Sequence, residues 1–167
     1  MSAAGKSAGK NAGKAASLSR SRARLAAVQA LYQMDLAETD LGAVLEEFSA
    51  NPLVDEAEGD GLGKPDVEHM TRVLKGVVAR QRDIDPLIDK QLATGWRLVR
   101  IDSIVRAILR AAAFELMELA DVPARVVISE YVEVAHAFFE GDESKVVNGV
   151  LDQLARKLRE GELPARG

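Results

Sequence analysis

The sequence predicts an all-α protein, a compact bundle of about seven short helices. Apolar residues recur three and four positions apart in one segment after another, the spacing of a helix with one buried face. No segment alternates apolar and polar residues as a half-buried strand would. One stretch, Ile101 to Ala120, is apolar around nearly its whole circumference, which places it in the middle of a bundle. At 167 residues the chain suits one domain with a tail, and with 47% hydrophobic but only 4% aromatic residues its core is aliphatic.

Residues 1–18 are Ala, Gly, Ser, Lys and Asn in a near-repeat (SAGK, NAGK). They offer too little apolar surface to offset ordering entropy, and a disordered tail is expected. The domain proper is expected over 19–160. Its first helix carries Leu25, Val28, Leu31, Tyr32 and Leu36 as its stripe, with Arg20, Arg22 and Arg24 at or before its first turn. Cations there cost about 0.3–1 kcal/mol each against the helix dipole. A bound phosphate would instead be stabilised by both the arginines and the free N–H groups. Asp40 caps a second helix with Leu41, Val44, Leu45 and Phe48 inside, and Asn51-Pro52 ends it. Asp55 to Pro65 reads as an acidic loop. Its Gly59-x-Gly61-x-Gly63 follows no strand and is flanked by acids, so it is not a phosphate loop.

Asp66 starts a third helix, with Val67, Met70, Val73, Leu74, Val77 and Val78 on its buried face. Gln81 to Asp83 break the pattern, and Asp85-Pro86 reads as the cap and first residue of a fourth helix, closed by Thr94-Gly95. Trp96 opens a connector as a core plug. The central helix follows, with Arg106 and Arg110 as polar exceptions four residues apart; they either pair with Glu115 or the acidic loop, or extend a positive surface. Beyond the Asp121-Val122-Pro123 turn, Ile128, Val132, Ala135 and Phe139 mark a sixth helix. Asp142 caps the last, whose Val146, Val147, Val150, Leu151, Leu154 and Leu158 face inward around an Asn148-Gly149 pair that reads as buried. Residues 161–167 form a frayed tail.

Charge is unevenly placed. The net charge is −4, yet Lys6, Lys10, Lys14, Arg20, Arg22 and Arg24 all precede the first acid, Asp35; without them the chain is six charges more negative. A basic arm on an acidic body orients an anionic ligand toward the arm. The chain has no cysteine, so disulfides, thiolate nucleophiles and zinc–cysteine sites are excluded. No apolar run approaches the ~18 residues of a membrane span, and no secretory signal core stands at the N-terminus, so a cytoplasmic protein is expected. His69 and His136 lie on separate helices and no metal or catalytic spacing joins them, so neither an enzyme nor a cofactor is expected.

Four segments carry a family resemblance: AVQALYQMDL (27–36), ILRAAAFEL (108–116), DVPARVVISEYVEVA (121–135) and KVVNGVLDQLA (145–155). In order and spacing they resemble the NusB family of bacterial transcription antitermination factors. The resemblance implies an all-helical, non-enzymatic protein. It implies binding of the boxA element of nascent RNA, especially from ribosomal RNA operons, together with NusE, which is also a small-subunit ribosomal protein. The complex would help RNA polymerase pass terminators. By the same resemblance, RNA-binding residues are expected at Arg20, Arg22 and Arg24 of the arm, Tyr32, Arg106 and Arg110 of the central helix, and Asp142 and Lys145 at the last helix. The chain departs from the family pattern at Ser21, within an arginine run, and at Val146, where some members carry phenylalanine. The alternative is a helical protein-interaction scaffold without specific RNA binding, and a homodimer is an open assembly state.

Overall fold

The computed structural model describes residues 3–50, 66–93 and 97–165. Among these, six α-helices and one 3₁₀ turn make up the regular structure: α1 (Ala3–Ala37), α2 (Leu41–Ala50), α3 (Val67–Asp89), the 3₁₀ turn Leu98–Arg100, α4 (Ser103–Glu118), α5 (Ala124–Phe138) and α6 (Glu143–Leu158). None is long and apolar enough to cross a membrane. The acidic 55–65 loop, the Asn51-Pro52 stop, Thr94-Gly95 and Trp96 lie outside the described residues.

The central helix is where the apolar pattern placed it. α4 packs against α1, α3, α5 and α6, burying Val105, Ile108, Leu109, Phe114 and Leu116 with the alanines at 107 and 111–113. Ala23, Ala26, Ala27 and Ala30 of α1 are buried too. Alanines on both helices let the backbones approach closely, which is how a core poor in aromatics reaches interior density. Capping follows the sequence at two sites: Asp40 accepts from the Ala43 N–H at 2.8 Å and Asp66 from the His69 N–H at 3.0 Å.

Several expectations are corrected. The first helix starts at Ala3, through the stretch expected to be disordered. Alanine and lysine favour a helix locally, and side chains 13–17 are exposed. The expected third and fourth helices are one, with Pro86 inside α3. Proline there falls in the last turn, and the full burial of Ile84 and Ile88 on either side holds the helix through it. Asp85 therefore caps nothing. Close helix approach occurs not at Gly149, where a Cβ would meet open space, but at Gly76, where it would fall 2.1 Å from the Phe114 ring. Asn148 is exposed rather than buried.

The C-terminal segment is also docked rather than frayed. Arg159 donates to the carbonyls of Leu116 (2.8 Å), Leu119 (2.8 Å), Val122 (3.0 Å) and Glu115 (3.2 Å), covering the negative end of α4. Glu162 accepts from the Ala124 N–H at 2.6 Å, at the positive end of α5, and pairs with Arg159 at 3.1 Å. That N–H holds the Glu162 carboxyl below its usual range.

Candidate nucleic-acid interface

The arm's three arginines have different surroundings. Arg20 is exposed and stands 4.0 Å from Asp66 at the start of α3, where the Asp66 N–H also bonds the Ser19 carbonyl at 3.0 Å. Arg22 is half-buried. Arg24 points the other way, into the core, with its side chain only 2% exposed. Its Nε and Nη2 reach Glu115 of α4 at 2.9 and 3.0 Å, and Nη1 lies 3.8 Å from Glu130 of α5. Arg24 is thus corrected from RNA contact to core ion pair: it cannot meet a phosphate without opening the bundle and abandoning a buried carboxylate.

Glu115 is the hub of that pair. It is fully buried and takes a hydrogen bond from the Tyr131 hydroxyl, itself inaccessible to solvent. His69 Nε2 stands 3.4 Å away, near enough for attraction although outside hydrogen-bond geometry. Burial alone would push the Glu115 carboxyl up; the contacts of His69, Arg24 and Tyr131 outweigh it and hold the group at about 2. Burial, followed by the Glu115 charge, pushes the Tyr131 hydroxyl well above the ordinary tyrosine value, so it stays a donor.

Arg106 and Arg110 are also committed to partners. Arg106 donates Nε to Asp35 of α1 at 3.0 Å and Nη1 to the carbonyls of Leu98 and Val99, both at 3.2 Å. Arg110 makes a two-pronged pair with Asp85 of α3, both contacts 2.9 Å. Their side chains are 13% and 12% exposed. Neither pairs with Glu115; each braces α4 against a neighbouring helix through an acid of that helix. With Arg24–Glu115 at one end and Asp35–Arg106 at the other, α1 and α4 run antiparallel in a fixed register.

Tyr32 lies on α1, and Asp142 and Lys145 at the head of α6. Ser21 of α1 donates to Glu130 of α5 at 2.7 Å. Tyr32 lies eleven residues beyond Ser21, about three turns and ~16 Å along the same side of α1. α5 doubles back from α4 through a short turn and so runs with α1; eleven residues beyond Glu130 the chain reaches Gly141, at the start of the Asp142–Lys145 turn. Tyr32 is half-buried with its ring against the core. Asp142 and Lys145 are almost fully exposed and 3.4 Å apart. Asp142 stands at the head of α6 but its side chain makes no capping bond. Val146 beside them is exposed rather than inward. Among the described residues no three His, Asp or Glu side chains form a metal site.

A sequence profile described as the NusB family matches residues 21–156. A transcription antitermination protein NusB from Rhodopseudomonas palustris (strain HaA2) is 53% identical over 140 residues, 84% of this chain and 83% of that protein. Its counterpart from Rhizobium rhizogenes is 50% identical over 137 residues, 82% and 86% of the two chains. Among solved structures, T. maritima NusB superposes with a TM-score of 0.68 at 33% identity, over 83% of this chain and 91% of that one. The fold also matches, at TM-score 0.70 and 24% identity over 83% and 97% of the chains, a structure of antitermination factors NusB and NusE in complex with double-stranded RNA.

Proposed function

This chain belongs to the NusB family, and from that premise we propose that it works as a transcription antitermination factor in the cytoplasm, binding boxA RNA of nascent ribosomal transcripts together with NusE and helping RNA polymerase read through terminators. The observation that carries the reading is the identity of about half of the aligned residues, across most of both chains, with proteins of that name. The solved complex of a NusB with NusE and RNA supports both partners.

In this reading the RNA lies along α1 toward the head of α6. Arg20 and Arg22 neutralise phosphates near the start of the path and Lys145 near its end. Tyr32 stacks on an unpaired base, worth about 1–3 kcal/mol on such platforms. Asp142 accepts from a base edge or ribose hydroxyl. Each phosphate neutralised on a single strand lowers log K by about 0.7 per decade of salt.

The test is binding of labelled boxA RNA against a scrambled RNA, with and without NusE, for the wild-type protein and Arg20→Ala. Preference for boxA that sharpens with NusE, and an Arg20→Ala protein of unchanged melting temperature whose salt slope is smaller by about 0.7, are the expected results. Equal binding to both RNAs, with or without NusE, would reduce the protein to a generic polyanion binder or a scaffold.

A further inference from the structure

The outer face of α3 carries a row of uncompensated cations. Arg72, Lys75, Arg82 and Lys90 are all exposed, and none of their side chains makes an ion pair or hydrogen bond among the described residues. At 100° per residue they fall within about 80° of one another, on one side of the helix, spread over ~27 Å. Ala79 and Pro86, both exposed, fill the gaps on the same face.

The acids of α3 do not answer them. Asp83 is taken by Arg80 at 2.9 Å, Asp85 by Arg110, and Asp89 by the Leu98 N–H at 2.7 Å. Residues 69–82 contain no acid at all. Glu68, a turn before Arg72, is exposed and makes no pair with it. Arg72 and Lys75, like charges three residues apart, destabilise a helix slightly, on a protein whose net charge is −4. A row with four cations and, on the same face, only Glu68 at its N-terminal end, on an oppositely charged body, suits a polyanionic partner.

We propose that this face of α3 is a second RNA track, which binds the phosphate backbone of transcript flanking the recognised element without reading its sequence. RNA fits better than an acidic protein because the row has no aromatic, Met or Leu anchor, the residues that give protein interfaces their buried centre. Spaced cations with small residues between them are what backbone neutralisation requires. The track lies on the side of α3 that faces away from the core and α1, so it is a surface separate from the arm. It rests on the RNA-binding reading above but uses none of its residues.

The test compares wild type with a triple variant, Arg72→Ala, Lys75→Ala and Arg82→Ala, on two RNAs: the bare boxA element, and the same element with unstructured flanks of about 20 nucleotides. The substituted positions are exposed and alanine favours a helix, so the variant folds, which circular dichroism checks. Wild type should bind the flanked RNA more tightly, with a steeper salt slope. The variant should bind the bare element as wild type does and lose up to about 2 units of slope on the flanked RNA. A variant that keeps the full advantage and slope on flanked RNA overturns the track and leaves α3 to a protein partner. Wild type that binds neither RNA overturns the functional reading, and the track with it.

Discussion

Arg20 and Arg24 stand four residues apart on α1 with opposite roles, one in solvent and one in the core. In sequence they are alike, two of the three arginines in a basic run, and the run pointed to a ligand. Arg24 could have been separated from it by Glu115, a lone acid in the otherwise apolar AAAFELM stretch of a helix buried all round: a carboxylate there requires a cation, and Arg24 shares the α1 stripe with Val28 and Leu31. The pair has a measurable consequence. The Glu115 carboxyl is held at about 2 against an ordinary 4.5. Its contribution to stability, about 3 kcal/mol, is therefore complete above pH ~4.5 and lost as the pH falls toward 2. Glu115→Gln should leave Arg24 with only the more distant Glu130 carboxylate, 3.8 Å away, and cost about 3–5 kcal/mol at neutral pH. The difference in stability between wild type and variant should shrink on acidification, read from denaturant melts at pH 7, 4 and 3. A difference independent of pH would mean that Glu115 is not held as a carboxylate.

At the scale of elements, periodicity was a good guide to which faces are buried and a poor one to where helices end. The stripes of α4 and α5 are where the spacing put them, and so is that of α1 as far as Tyr32, beyond which Leu36 is exposed rather than buried, because apolar burial dominates and a helical repeat has little ambiguity. The break at Asp85-Pro86 misled, since a proline in a final turn is tolerated when Ile84 and Ile88 on either side are fully buried. The close approach of α3 to α4 was not legible at all. Gly76 looks like an ordinary helix defect until the Phe114 ring is seen lying where its Cβ would be. Gly76→Ala should accordingly destabilise the protein by about 1–3 kcal/mol through overpacking, although alanine is intrinsically the better helix former by about 1 kcal/mol. Phe114→Leu in the same background should return part of the loss. A thermal melt of Gly76→Ala at or above the wild-type temperature would show that the two helices can separate without cost.

Across the whole molecule, the charge asymmetry visible in the sequence sorts into two kinds of cation. Arg24, Arg106, Arg110 and Arg159 hold helices to one another, each bound to acids or carbonyls of a different element. Arg20, Lys145 and the row on α3 face solvent. Composition cannot tell these apart, because burial is decided by partners far away in sequence. The four segments that resemble the NusB family carried more: their order and spacing span the domain, and identity with relatives extends across it. We propose that this protein promotes antitermination through boxA. The most direct measurement is transcription by bacterial RNA polymerase through a terminator downstream of a boxA element, with NusE and the other antitermination factors present, with and without this protein. Read-through that rises on adding the protein and is lost when boxA is scrambled is the predicted result. Read-through unaffected by the protein, or raised equally on the scrambled template, would contradict it.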